Sequence, residues 1–183
     1  MRFAVAATLL LCLVGCGEEP APTNAEYRDI LVDRSRIYVE EAEELRTVHV
    51  FQLERAVDDL VKELEGTDLE AAVIAETGGR SAVLFARTAD ALDRYVADLM
   101  AIEPPEALRE PHQEYIDALW LSIRGIGDTV DALTSASSFA AIDVAIGGST
   151  FSDTQPRVDA ACDRLETALA DQGAPGSLHC GEG

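Results

Sequence analysis

The sequence predicts an all-α chain, an up-down-up-down four-helix bundle whose last helix is broken near Gly147-Gly148. Three observations carry this. From Ala25 to Glu65 the chain runs without Gly or Pro, while Tyr27, Leu31, Tyr38, Ala42, Leu45, Leu53, Ala56, Leu60 and Leu64 recur at helical spacing. Aromatic residues make up only 5% and no Asn-Gly or Asp-Gly pair occurs, so the residues and turns that favour sheets are scarce. The interruptions between helical stretches are short, and short connections favour antiparallel neighbours. At 183 residues the chain is the size of one ordinary domain.

The first helix is the Ala25 to Glu65 stretch, with Gly66 as its stop. Thr67-Asp68-Leu69-Glu70 has the form of a capping box for the second helix. The stripe Leu69, Val73, Leu84, Ala91, Tyr95, Leu99, Ile102 keeps its phase across Gly78-Gly79, so one helix, with a kink allowed at the glycines, runs to Pro104-Pro105. The third opens near Glu106 or just before Pro111 and aligns Leu108, Tyr115, Leu119, Ile123, Ile126, Val130 and Leu133. Gly125 and Gly127 either weaken its later turns or let a neighbour approach closely. A short segment from Ser138 to Ile146 ends at Gly147-Gly148, and its continuation runs from about Thr154 to Gln172, with Pro156 in the first turn and Gly173 as the stop.

Ahead of the helices, residues 1–15 read as a secretory signal: Arg2, then an apolar run from Phe3 to Val14 that is too short to span a bilayer. Leu13-Val14-Gly15-Cys16 resembles the lipobox of bacterial lipoproteins, which assigns Cys16 as the diacylated residue. The expected division is a signal over 1–15, a lipidated tether over 16–24, the bundle over 25–172, and a tail over 173–183. Because each buried methylene contributes about 0.8 kcal/mol and two chains give stable anchoring, membrane lipid is the first expected partner. The expected location is the extracytoplasmic side of a bacterial membrane. Gly17 follows the cysteine where some double-membrane bacteria place an inner-membrane Asp, which leaves the choice of membrane open.

With Cys12 in the signal and Cys16 lipidated, Cys162 and Cys180 are left. In an oxidising compartment such a pair reads as a disulfide that folds the tail onto the last helix. The alternatives are a redox pair or a metal site with His179, against which the spacing is not CxxC and the zinc ligand set is incomplete.

The net charge of −20 excludes nucleic acid as a partner, since phosphate contact is carried by Lys and Arg. The negative run Glu40, Glu41, Glu43, Glu44 reads as a solvated face, with a cation or basic-partner site as the alternative. Salinity or coding bias would give the same acidity.

The lipobox, the long helices, Pro104-Pro105-Glu106-Ala107-Leu108 followed by His112, Tyr115 and Ala118-Leu119, and the ending Arg157-Val158-Asp159-Ala160-Ala161-Cys162-Asp163-Arg164-Leu165 with Cys180 together resemble small helical lipoproteins of high-GC bacteria. The similarity covers most of the chain after Cys16 and implies no assigned function. Pro111 departs from the smoother helix start of that pattern.

Two histidines fall on inward stripes. His49 lies four residues from Leu45 and Leu53, and His112 four after Leu108. Measured along the helices from the first turn, their levels differ by roughly 15 Å at 1.5 Å per residue, too far to share one metal. The Glu-x-x-His pair, HExxH, CxxCH, EF-hand, P-loop and GxSxG patterns are all missing. The expectation is therefore no catalytic residue, no metal and no cofactor, with each histidine buried and hydrogen-bonded. Trp120, at the edge of the third stripe, reads as helix packing, and Trp120 and His49 are the residues assigned to any ligand held between helices. Two functions stand: a non-catalytic binding or interaction module of the cell envelope, with an envelope protein or small ligand as partner, or a metal- or small-molecule-binding bundle, enzymatic in one version, that uses the core histidines.

Overall fold

The computed structural model describes residues 21–148 and 150–180, and among them every regular element is helical. Five α-helices follow in order: α1 (Asn24–Glu63), α2 (Gly66–Met100), α3 (Arg109–Thr134), α4 (Phe139–Gly147) and α5 (Thr150–Asp171), with a 3-10 turn over Glu106–Leu108 before α3. Cys16 and the expected signal lie outside the described residues. Among the described residues no helix is long and apolar enough to cross a membrane.

α1 opens on a capping box: the Glu26 amide donates to the Thr23 hydroxyl, and Glu26 Oε2 accepts the Thr23 amide at 2.9 Å. The expected capping box at Thr67 to Glu70 does not form. Gly66, at φ 62, reverses the chain so tightly that helical bonding starts at Gly66 itself, and Thr67 lies inside α2 with Glu65 as the N-cap. α2 is a single helix through Gly78-Gly79. The fourth helix also departs from expectation. α5 starts at Thr150, so Pro156 is an interior residue rather than a first-turn one. The Thr154 hydroxyl donates to the Phe151 carbonyl at 2.8 Å in the turn ahead of the proline. α4 is a separate element on its own satellite core, with Ile142 and Ala145 packed among Ile74, Ala82 and Leu133.

α3 is central, packing on both α2 and α5, while α1 packs on α2. Cross-helix partners run in opposite senses. Arg34 reaches Asp98 and Tyr38 stacks on Tyr95; Tyr95 meets Tyr115 and Gly78 faces Leu133; Glu114 pairs with Arg164 and Gly125 faces Phe151. At Gly125 a Cβ would stand 2.7 Å from the Phe151 amide nitrogen, so this glycine is what lets α5 come so close to α3. The main core joins Leu31, Val96, Leu99, Leu108, Ile126, Leu165 and Leu169.

The seam between α1 and α5 is filled differently. Helix packing there is slight compared with the other seams, and the tail enters it instead. α5 ends in a Schellman motif at Gly173 (φ 74), where the Ala174 amide donates to the Leu169 carbonyl and the Gly173 amide to the Ala170 carbonyl, both at 2.9 Å. The chain then runs along α1: Arg28 donates to the Pro175 carbonyl, the Ser35 hydroxyl to the Leu178 carbonyl, and Leu178 is buried. The Leu178 amide donates to Glu166 on α5. His179 adopts a left-handed conformation (φ 58), after which Cys180 is disulfide-bonded to Cys162 across a Cα–Cα distance of 5.6 Å.

Candidate functional site

Because the tail fills only one end of the α1–α5 seam, the other part is open. There a cavity of about 370 Å³ is lined by all four long helices and floored by Leu178 and Cys180 of the tail. Its inner wall is apolar, formed by Leu84, Phe85, Leu92, Leu119, Phe151 and Val158. Neutral polar groups punctuate it: Ser35, Tyr38, Thr88, Tyr115, Ser122 and Gln155. Glu43, Arg46, Asp159 and His179 also line it. Glu43 and Arg46, both exposed, form an ion pair at 3.5 Å, and Gln155 donates to Asp159 at 3.0 Å. An enclosed apolar wall with a few placed polar groups, at this volume, is the usual form of a small-molecule site.

Tyr38 and Tyr115 line this space, and Tyr95 packs against both. Tyr38 stacks on Tyr95 with centroids 5.1 Å apart, and Tyr95 meets Tyr115 edge-on at 6.4 Å with their hydroxyls 3.4 Å apart. Burial pushes the Tyr38 phenol up to about 12 and raises those of Tyr95 and Tyr115 as well, because a phenolate there would lose its hydration. The rings are thus neutral hydrogen-bonding surfaces near pH 7, not bases.

The histidines are not brought together. His112 is buried below the cavity, where the Tyr27 hydroxyl meets its Nδ1 at 2.6 Å. Burial lowers its pKa, and a hydrogen bond to the Leu99 backbone partly offsets this. With one N–H committed to the Leu99 carbonyl, the neutral ring accepts the Tyr27 proton at Nδ1. His49 is half-buried at the other end of the α1–α2 pair, in a groove with Gln52, Glu76, Arg80 and Arg87. Its pKa is lowered by partial burial and then by the nearby Arg80 charge. Since His49 lies beside Arg80 and His112 beside Leu99, the two stand roughly 28 Å apart along α2 at 1.5 Å per residue.

Trp120 is 38% exposed on the outside of α3 and is not among the residues lining this cavity, while His49 lines the separate groove, so the structure does not bring the two together. A helical step of about 100° from Leu119, which does line the cavity, turns Trp120 away from it. Cys162, Cys180 and Glu166 form a cluster of three metal-ligating side chains. Its sulfurs are bonded to each other and Glu166 is engaged by the Leu178 amide, which leaves no free thiolate for a metal.

The polar residues of the cavity sit on the apolar stripes of the sequence, where nothing set them apart. Thr88 stands four residues from both Leu84 and Leu92, Ser122 lies between Leu119 and Ile126, and Ser35 follows Leu31 by four. No protein-family model, curated protein or solved structure matches the chain, so the site rests on its own residues.

Proposed function

We propose that this chain is a lipid-anchored lipoprotein on the extracytoplasmic side of a bacterial membrane. Its folded part is an up-down-up-down four-helix bundle of α1, α2, α3 and α5, and it binds a small apolar molecule between α1 and α5 without catalysing a reaction. The observation that carries the binding reading is the cavity of about 370 Å³ that the tail leaves between those helices. The opposed registers of the three packed helix pairs support the topology. Neutral phenols and hydroxyls along an apolar wall suit recognition, and nothing in that wall pairs a nucleophile with a base.

Anchoring rests on Leu13-Val14-Gly15-Cys16 alone, because Glu18 and Glu19 would be repelled by anionic headgroups and electrostatics cannot hold the chain there. Two experiments test the reading. Cys16→Ser is expected to move the protein from the membrane to the soluble fraction; retention of the variant in membranes resistant to high salt refutes the anchor. Xenon under pressure is expected to shift the methyl resonances of Leu84, Leu92, Leu119 and Val158, and an unperturbed spectrum refutes an enterable apolar site.

A further inference from the structure

Three polar side chains of the cavity stand at one level of the bundle. On α2 and α3, Tyr95 meets Tyr115 and Gly78 faces Leu133, so seven residues from the tyrosines along these antiparallel helices Thr88 is level with Ser122. On α3 and α5, Glu114 pairs with Arg164 and Gly125 faces Phe151, which sets Ser122 level with Gln155. All three line the cavity, and one turn away on the same helices its wall is Leu84, Leu119, Phe151 and Val158.

Ser122 differs from the other hydroxyls of the bundle. It is 3% exposed, yet its side chain has no hydrogen-bond partner among the described residues. Thr88, Thr129, Thr134 and Thr167 each donate to the carbonyl four residues back on their own helix, and Ser122 does not. Every fully enclosed side-chain nitrogen or oxygen among the described residues has a partner, so the Ser122 oxygen opens on the cavity that it lines. A hydroxyl without a partner beside an apolar wall is costly, and a ligand atom that meets it restores the bond.

The neighbours of Ser122 define what that atom is. Thr88 has given its proton to the Leu84 carbonyl at 3.0 Å and keeps only lone pairs. Gln155 gives one N–H to Asp159 at 3.0 Å, which orients the amide and leaves its carbonyl oxygen and second N–H. Ser122 keeps both its proton and its lone pairs. Acceptors therefore outnumber donors: a ketone or ether oxygen, which only accepts, leaves the Thr88 and Gln155 oxygens unmet, whereas a hydroxyl serves both kinds. All three side chains are neutral, so an anion at this level would lose its hydration with no counter-charge from them. Asp159, one turn along α5, makes a cationic amine the chief competitor.

We propose that the cavity between α1 and α5 takes a neutral, largely apolar alcohol, whose hydroxyl accepts from Ser122 and donates to the Gln155 carbonyl at the level of Thr88. This rests on the reading of the cavity as a binding site and adds to it the ligand's polar group and the place where that group is held.

The test uses soluble Cys16→Ser protein and four probes of similar size, benzyl alcohol, ethylbenzene, acetophenone and benzylamine, each titrated against the methyl resonances of Leu84, Leu119 and Val158. Ser122→Ala is expected to weaken benzyl alcohol about three- to tenfold, the size of one hydrogen bond, and to leave ethylbenzene unchanged or tighter. Gln155→Leu is expected to weaken benzyl alcohol by a similar factor and to spare acetophenone, which has no proton to give. Ala42→Phe, at a half-buried position of α1 that lines the cavity, is expected to weaken all four probes. Circular dichroism confirms that each variant is folded. An equal loss of benzyl alcohol and ethylbenzene in Ser122→Ala, no loss of benzyl alcohol there, or an equal loss of alcohol and ketone in Gln155→Leu overturns the inference. Tighter binding of benzylamine than of benzyl alcohol at pH 7 does the same. If none of the four binds while xenon still shifts the cavity methyls, the alcohol inference falls and the binding reading stands; if xenon also fails, both fall.

Discussion

Replacing Gly125 with alanine opposes two effects whose sizes can be compared. In an exposed helix interior the change favours folding by about 0.5–1 kcal/mol, because glycine has more backbone freedom to lose. At this position the added Cβ meets the Phe151 nitrogen at 2.7 Å, the Phe151 Cα at 2.8 Å and the Thr150 carbonyl carbon at 2.9 Å. All three are backbone atoms, so no rotamer change relieves the contact, and α5 must retreat by roughly 0.7 Å to restore an ordinary contact. Overpacking of this kind costs about 1–3 kcal/mol, which exceeds the propensity gain. The net expectation is a loss of about 1–2 kcal/mol, or roughly 2–8 °C in melting temperature for a chain of this size. Gly127, two residues on, is the internal control: a Cβ there meets nothing within 4 Å, so Gly127→Ala is expected to stabilise by about 0.5–1 kcal/mol. Urea unfolding followed at the helical dichroism band reads both variants. Equal stability of the two, or a stabilised Gly125→Ala, would refute the close α3–α5 approach.

Tyr27→Phe removes the proton donated to buried His112 and is expected to cost about 1–3 kcal/mol in urea melts; a neutral change would mean that this hydrogen bond is not made. Cys180→Ser opens a link with a sequence separation of 18 and should cost about 3 kcal/mol by the loop-entropy relation, with faster proteolysis after Gly173; an unchanged midpoint and cleavage rate would show that the tail holds without it. The pKa of His112 is lowered by burial, so the unfolded chain takes up this proton at a higher pH than the folded one. Its contribution is therefore fully present above about pH 6.5 and is lost as pH falls from there through the lowered value. Denaturant midpoints between pH 7 and 5 are expected to fall for the native chain and to fall less for His112→Asn, and parallel slopes would contradict this. Arg164→Ala breaks an exposed ion pair with Glu114 and is expected to stay within about 1 kcal/mol of the parent; a larger loss in thermal melts would show that this pair, rather than apolar packing, sets the α3–α5 seam.

The helices were legible because their apolar residues repeat at one period over long stretches, and tertiary contact does not overturn such a pattern. Gly125 was legible as one of two options, and the structure realises the close approach there and not at Gly127. Boundaries were less so: the Thr67 capping box was overridden by the reversal at Gly66, and Pro156 was placed at a helix start because a first turn tolerates proline, whereas α5 starts six residues ahead of it. The cavity was not legible. It is lined by α1, by α5 and by a tail that follows α1 by more than a hundred residues, and only the folded chain brings Ser35, Ser122 and Leu178 to one place. His49 and Trp120 were singled out as chemically distinctive residues, but the cavity between α1 and α5 is lined by commoner ones, and His49 lines a separate groove.

The central claim is that the space between α1 and α5 is a binding site rather than a packing gap. Xenon titration of Cys16→Ser protein, with Ala42→Phe alongside it, tests this most directly. The account predicts saturable methyl shifts at Leu84, Leu92, Leu119 and Val158 in the first protein and their loss in the second, both proteins remaining folded. Shifts that persist in Ala42→Phe, or that are missing from both, would contradict it.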